Sequence, residues 1–172
     1  MESKAKLAGH AAHPLLVVFP LGLLITSVVF DGLYLYNNNP DMVLVSYWMI
    51  TAGLLSGAAA AVPGWIDWFA IPASTRAKRI GLIHGIGNVL ALLLFGASWL
   101  WRTDELRHEP TTLALISSGL AFVLMGLTGW LGGEMVDRLG VGVDDDANLN
   151  APNSLSGRPA AEPATSRRPS RA

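Results

Sequence analysis

Four long apolar stretches constrain this chain more than any other feature of its sequence. They cover residues 15–35, 43–62, 80–101 and 111–131. At a helical rise of about 1.5 Å per residue, each stretch covers roughly 30 Å, which is the thickness of the hydrocarbon core of a bilayer. Because lipid offers no hydrogen-bonding partners, a backbone crosses it only as helices or as a closed barrel. The sequence therefore predicts an integral membrane protein with four spanning helices.

The composition excludes several classes of protein. Of the 172 residues, 51% are hydrophobic and only 15% are charged, so one membrane domain takes up most of the chain and a second folded domain does not fit. The charges lie at the ends of the spans and in the tail, so we expect no binding to nucleic acid. The chain contains no cysteine, which excludes disulfides, thiolate zinc sites and all-cysteine iron–sulfur clusters. Any cofactor must be held by histidine, carboxylate or backbone groups.

The distribution of lysine and arginine predicts an orientation. Ten of these residues lie before span 1, between spans 2 and 3, or after span 4, whereas only Arg102 and Arg107 lie between spans 3 and 4. The positive-inside rule then puts both termini in the cytoplasm. Short outer connections join spans 1 and 2, and spans 3 and 4, as antiparallel hairpins. We expect an all-α, up-down-up-down four-helix bundle over residues 1–143, followed by a disordered cytoplasmic tail over residues 144–172.

Small residues at four-residue spacing predict where these helices approach each other closely. They are Gly53, Gly57 and Ala61 in span 2, Gly81 and Gly85 in span 3, and Gly129 and Gly133 at the end of span 4. Two prolines, Pro20 and Pro63, interrupt spans 1 and 2. The pair Pro63-Gly64 predicts that residues 65–71 leave span 2 and lie at the membrane interface.

Polar residues at one depth predict a site. His13 begins span 1, and His10 shares its face if the helix extends back that far. His84 lies about 6 Å into span 3 from the same side, while Asp67 follows span 2 and Glu134 follows span 4. Since buried polar groups in a membrane cost free energy unless they are paired or hydrated, four helices bringing such residues to one layer favour a functional site.

Each of these residues also has a purely structural interpretation. His13 precedes a proline, which is typical of a helix start. Trp65 and Trp68 are typical of the aromatic belt at a membrane interface. Glu134 is consistent with a solvated helix end, and His84 with a hydrogen bond to a neighbouring helix.

Five motifs follow one another along the chain. They are HPLLVVFPLGLLITSVVFD from residue 13, PGWIDWFAIP from residue 63, TRA from residue 75, GLIHGIGN from residue 81 and GWLGGEMVDRLGVGV from residue 129. Together they resemble the DUF2231 membrane proteins, which are predicted bacterial four-span proteins of unassigned function. The resemblance implies an inner-membrane protein. It also implies, by association only, a membrane redox role, because some relatives are found joined to or beside redox domains such as Rieske-type domains.

The resemblance also singles out particular positions. The family's signature falls on His13, Pro14, Phe19, Pro20, Asp31, Asp67, His84, Asn88, Gly132, Gly133 and Glu134. The segment before the closing GVGV commonly carries a histidine in the family, where this chain has Leu139. If that histidine is a ligand in relatives, this chain lacks it. Asp31 is expected to bond to a helix end or to a polar side chain, and the sequence identifies no partner for it.

Three hypotheses of function follow. The first is a redox accessory protein that holds one b-type haem between His13 and His84, or contacts quinone, near the cytoplasmic face. The second is a divalent metal or proton site made from His13, His84, Asp67 and Glu134, for transport or sensing. The third is a purely structural or assembly protein whose polar layer locks the packing of the helices and whose tail recruits a partner. Besides the lipid bilayer, we expect a redox protein or a second copy of the chain as a partner. The sequence lacks the patterns of hydrolases and kinases, which favours a protein that is not an enzyme.

Overall fold

Four long helices make up most of the structure, a computed structural model that describes residues 1–102 and 108–162. The helices are α1 (Ala12–Asn37), α2 (Pro40–Ala70), α3 (Arg76–Leu100) and α4 (Thr112–Asp137). A short antiparallel hairpin of β1 (Lys6–Leu7) and β2 (His10–Ala11) precedes α1. All four helices are long and apolar enough to cross a membrane. This confirms the all-α fold and the four predicted spans.

Side-chain caps explain where three of the helices begin. The Asn39 side chain accepts a hydrogen bond from the Asp41 amide at the start of α2, which Pro40 opens. The Thr75 and Thr111 hydroxyl oxygens accept hydrogen bonds at 3.1 Å from backbone amides in the first turns of α3 and α4. Such caps satisfy amides that have no partner within the helix. The described part of the chain therefore turns sharply between neighbouring helices, as antiparallel hairpins require.

Helix α2 is longer than the sequence predicts. It runs without a break through Pro63 to Ala70, over 31 residues, which corresponds to about 46 Å. The expectation that the chain does not continue the helix after Pro63 was wrong, while the position of residues 65–71 at the membrane interface stays a prediction. Pro63 removes one backbone donor and leaves the Ala59 carbonyl without its usual helical partner. A membrane helix tolerates this loss where neighbouring groups satisfy the backbone.

The helices pack as two hairpins. Helix α1 packs most extensively on α2, and α3 on α4, whereas contacts between the two hairpins are fewer. The predicted pairing of spans is therefore confirmed. Between the hairpins lies an apolar core of Leu24, Ile50, Ala91, Phe95, Ala121 and Met125. Large apolar side chains also face outwards along all four helices, as expected of a surface that contacts lipid.

Close approach through small residues is confirmed for α2 and α3. A methyl group added at Gly53 would lie 2.5 Å from Leu24, and one at Gly57 would lie 2.7 Å from Leu92. For Gly129 and Gly133 the prediction was wrong, because a methyl group there would meet no described atom within 4 Å. The glycine of α4 that does touch another helix is Gly132, which faces the His84 ring. The four-residue spacing of small residues correctly indicated close contact between helices. It did not show which face of α4 is turned towards the other helices.

The bundle has two chemically different ends. We call the end where α1 and α3 begin the histidine end, since it carries His13 and His84, and the opposite end, which carries Asp31 and Arg102, the ion-pair end. Both the segment before α1 and the segment after α4 emerge at the histidine end, where the Gly142 amide donates a hydrogen bond to the Met1 carbonyl at 3.0 Å.

Residues 144–162 form turns and one short 3-10 turn, Ser154–Ser156. The Lys6 ammonium contacts the Asp144 carboxylate at 2.6 Å. Residues 163–172, with three of the arginines used in the orientation argument, lie outside the described residues, as does Arg107. Disorder of the tail therefore stays a prediction.

Candidate functional site

A cavity lies between the two hairpins at the histidine end. Its volume is about 380 Å³, and residues of all four helices line it, which is a size common among cofactor and ligand sites. Most of the wall is apolar. Several glycines belong to the wall, among them Gly57, Gly64, Gly81, Gly85, Gly129 and Gly132. Neighbouring side chains pack against all of these except Gly129. The polar groups in the wall are few and include both His13 and His84.

A hydrogen bond to α2 fixes the ring of His13. This histidine is the second residue of α1, and its Nδ1 lies 2.8 Å from the Ala60 carbonyl oxygen of α2. A carbonyl oxygen only accepts, so Nδ1 carries the hydrogen and Nε2 keeps its lone pair. Gly64 makes room for the ring, because a methyl group there would lie 2.9 Å from His13 Nδ1. His10 lies in β2 and is exposed, so the two histidines do not share a helical face as the sequence had suggested.

A hydrogen bond to α4, in the second hairpin, fixes the ring of His84 in the same way. Its Nδ1 lies 2.8 Å from the Thr128 carbonyl oxygen of α4, which confirms the predicted hydrogen bond to a neighbouring helix. The Asn88 amide nitrogen donates to the His84 carbonyl at 2.9 Å, and the Asn88 carbonyl accepts from the Thr128 hydroxyl at 3.0 Å. The same amide nitrogen is nearly equidistant from both ring nitrogens, at 3.4 and 3.2 Å. The Asn88 amide is therefore a hydrogen-bond neighbour of Nε2, and a ligand at this atom would compete with it.

The two imidazoles face each other across the cavity. Their ring centroids are 6.3 Å apart and their planes are perpendicular. Two imidazoles that bind one metal atom from opposite sides, at about 2 Å each, have ring centroids roughly 6 Å apart. The observed spacing fits such a pair.

The two carboxylates predicted to join the histidines have other partners. Asp67 lines the cavity and is only 8% exposed. Its carboxylate accepts hydrogen bonds from the Ser3 hydroxyl at 2.7 Å and from two backbone amides that follow Ser3. Glu134 is not among the described residues of the cavity wall and forms an ion pair with Arg76 at 2.7 Å. Within residues 1–102 and 108–162, no group of three or more histidine or acidic side chains could hold a metal ion.

An aromatic wall closes one side of the cavity. Trp65 and Trp68 both line it, with ring centroids 5.3 Å apart. The Trp68 indole donates a hydrogen bond to the Lys78 carbonyl at 3.0 Å. In return, the Lys78 ammonium donates to the Trp68 carbonyl at 2.7 Å and lies 3.9 Å from the centre of its ring. This cation–π contact fixes the tryptophan at the end of α2.

The ion-pair end contains a buried pair that the sequence did not reveal. The Arg102 guanidinium donates two hydrogen bonds to the Asp31 carboxylate, at 3.0 and 2.7 Å. The two side chains are 0% and 3% exposed. Their depth in the bundle is the sequence feature that could have indicated this pair. Asp31 near the end of span 1 and Arg102 just after span 3 reach the same level of an up-down-up-down bundle. His108 also lies at this end, stacked on Tyr47 at 3.7 Å, far from the other histidines as expected.

Comparison with known proteins gives one finding. The family model DUF2231, described as a predicted membrane protein, matches residues 9–145, which include all four helices. No curated protein and no solved structure matches the chain. Most of the positions singled out by the resemblance line the cavity, whereas Phe19, Asp31 and Glu134 lie elsewhere. Leu139 is not among the described residues of the cavity wall either.

Proposed function

The chain belongs to the DUF2231 family of predicted membrane proteins, and we propose that it is a redox accessory protein holding one b-type haem between His13 and His84. The spacing of the two imidazoles, 6.3 Å between ring centroids, is the observation that carries this proposal. Each ring is fixed by a backbone carbonyl at Nδ1, which leaves Nε2 as the atom that would bind the metal. This is the arrangement that orients histidine ligands in metal sites. At His84 the metal would displace the contact with the Asn88 amide.

The surroundings favour a haem over a bare metal ion. A divalent ion held by protein needs further ligands, and Asp67 and Glu134 are engaged with other groups. A porphyrin supplies four nitrogens itself, so His13 and His84 would be the only protein ligands that its iron needs. A porphyrin is planar and largely apolar. The largely apolar wall and the tryptophan side of the cavity suit such a molecule.

The chain's own residues have distinct roles in this proposal. The Ala60 and Thr128 carbonyls orient the two rings through Nδ1. Asn88 ties His84 to the Thr128 hydroxyl, which limits rotation of α3 against α4. The apolar wall excludes water and so influences the reduction potential of a bound group. When bound, haem supplies one-electron transfer, and a soluble redox protein is the expected partner.

The histidine end is proposed to face the bacterial cytoplasm, with residues 1–143 as the membrane domain and residues 144–172 as a cytoplasmic tail. Basic residues of the described chain support this orientation. The histidine end carries Lys4, Lys6, Arg76, Lys78, Arg79 and Arg138. At the other end, the charge of Arg102 is neutralised by Asp31. The positive-inside rule counts lysine and arginine, so this asymmetry supports a cytoplasmic histidine end.

Absorption spectroscopy tests the proposal directly. Protein purified from membranes with haem supplied should show Soret and alpha bands. His84→Asn is the sharpest variant, because the asparagine amide nitrogen takes the place of Nδ1 and keeps the bond to Thr128 while Nε2 is removed. It should abolish the bands without unfolding the protein. His108→Asn, a histidine at the ion-pair end, is the matched control and should leave them unchanged.

Two results would overturn the haem proposal. One is a colourless wild-type protein that does not take up added haem. The other is a coloured His84→Asn protein. Colourless protein that also lacks metal in elemental analysis would favour the structural or assembly function, in which the two Nδ1 bonds serve only to join helices. Bound quinone in the extracted protein would favour the quinone version of the redox role.

A further inference from the structure

Asp67 is the only acidic or basic side chain among the described residues that line the cavity, histidines apart. It is 8% exposed, and burying a carboxylate is costly unless hydrogen bonds compensate it. All three of its donors come from the start of the chain. They are the Ser3 hydroxyl at 2.7 Å, the Lys4 amide at 2.7 Å and the Ala5 amide at 3.1 Å. A charged acceptor makes these bonds stronger than neutral ones.

The same segment has a second attachment on the far side of the cavity. Gly142, which follows α4 and lines the cavity, donates its amide hydrogen to the Met1 carbonyl at 3.0 Å. Lys6 contacts Asp144 at 2.6 Å and Glu2 at 3.0 Å. The hydrogen bonds that the Lys6 ammonium donates to Asp144 and Glu2 raise its pKa, so it stays charged. Ser3 is only 4% exposed although it lies near the start of the chain.

We infer that residues 1–11 form a strap that closes the cavity against water at the histidine end, with Asp67 as its latch. The strap crosses from α2, at Asp67, to the turn after α4, at Gly142, and ends at Ala11 beside α1. All three of these residues also line the cavity. The closure therefore depends on contacts with three different parts of the cavity rim.

The strap regulates access to the site described above, so the biological role of the strap rests on the proposed function. The closure of the cavity by the strap does not depend on that function. With the strap in place, water-soluble molecules do not reach the imidazoles from this end. Release of the three bonds to Asp67 frees residues 3–5 and opens the path. Asp67 is thus a positioning residue for the strap and not a ligand of the cofactor.

The lack of cysteine allows a direct test by thiol labelling. Val17 lines the cavity one helical turn deeper than His13. In nanodiscs, a Val17→Cys protein should react slowly with a charged methanethiosulfonate reagent, which does not pass through lipid. Adding Asp67→Ala should raise the labelling rate at least about tenfold, since three charge-assisted hydrogen bonds are lost.

Two controls separate opening of the strap from loss of the fold. Glu134→Ala removes another carboxylate of the histidine end and should leave labelling of Val17→Cys unchanged. Tyr36→Cys, at an 88% exposed position of the ion-pair end, should be labelled equally fast with and without Asp67→Ala. The inference is overturned if Asp67→Ala changes labelling of Val17→Cys less than about twofold, or if Val17→Cys reacts as fast as Tyr36→Cys in the otherwise native chain. Because this readout needs no haem, a colourless protein with a working strap would refute the proposed function alone.

Discussion

The two ends of the bundle bury polar groups in opposite ways. At the ion-pair end, Asp31 and Arg102 use each other as partners in a tightly packed bidentate pair. At the histidine end, His13 and His84 each use one ring nitrogen to bind a backbone carbonyl, and both line a cavity. Buried polar groups that satisfy each other fix the packing of helices. Imidazoles beside a cavity support the binding site that we propose.

The ion pair also joins the two hairpins. Asp31 belongs to α1 and Arg102 follows α3, so their bond crosses the interface where helix contacts are few. Within residues 1–102 and 108–162, the Arg102 Nε and the Ser98 hydroxyl are the buried side-chain atoms without a hydrogen-bond partner. These two atoms lie one helical turn apart, beside the pair.

The largest expected effect tests the structural role of the ion-pair end. Arg102→Met leaves Asp31 buried without its partner, and we expect the free energy of unfolding to fall by about 3–5 kcal/mol. Thermal unfolding in detergent measures this. The double variant Asp31→Leu/Arg102→Met should recover most of the loss, and neither variant should alter ligand binding at the histidine end. A loss below about 1 kcal/mol in the single variant would contradict a structural role.

The next effect tests how closely the cavity wall fits the histidines. Gly64→Ala places a methyl group 2.9 Å from His13 Nδ1, and we expect a loss of about 1–3 kcal/mol from the forced shift of the ring. Gly129→Ala is the matched control, since its methyl group would meet no described atom within 4 Å. Its unfolding free energy should change by less than about 0.5 kcal/mol. Equal effects of the two variants would show that the ring is not confined by α2.

A smaller effect concerns the support of His84. Thr128→Val removes the hydroxyl that donates to Asn88 and keeps the shape of the side chain. We expect a loss of about 1 kcal/mol, which is the usual contribution of one such hydrogen bond. Thr128→Ser retains the hydroxyl and should lose less. If Thr128→Ser loses more than Thr128→Val, the packing of the threonine methyl group and not the hydrogen bond explains the position.

The smallest effect is expected at the exposed rim of the histidine end. The Arg76 and Glu134 side chains are 54% and 19% exposed, so Glu134→Gln should cost less than about 1 kcal/mol. The loss of unfolding free energy caused by Glu134→Gln should be smaller in high salt, because exposed charges are screened. Unfolding measured at two salt concentrations gives the comparison. A salt-independent loss would show that Glu134 does more than form a surface pair.

Depth was predictable from the sequence, and rotation about the helix axis was not. Apolar runs of about 20 residues set which residues reach the same level, so His13 and His84 were correctly expected near each other. The same runs could not show that Arg102 faces Asp31, since that depends on how α1 and α3 are turned. Nor could they show that Gly132 and not Gly129 contacts the other helix. Ser3 was overlooked because its partner, Asp67, is distant in the chain and lies in a stretch expected to leave the helix.

The length of α2 has a consequence for the route by which a molecule reaches the histidines. The part of α2 beyond Pro63 exceeds the roughly 30 Å of hydrocarbon that its apolar run already spans. We therefore expect Trp65, Asp67 and Trp68 at the level of the lipid headgroups and not among the acyl chains. An amphiphilic molecule would then approach the histidine end from this interface, with its polar part in water and its apolar part in lipid.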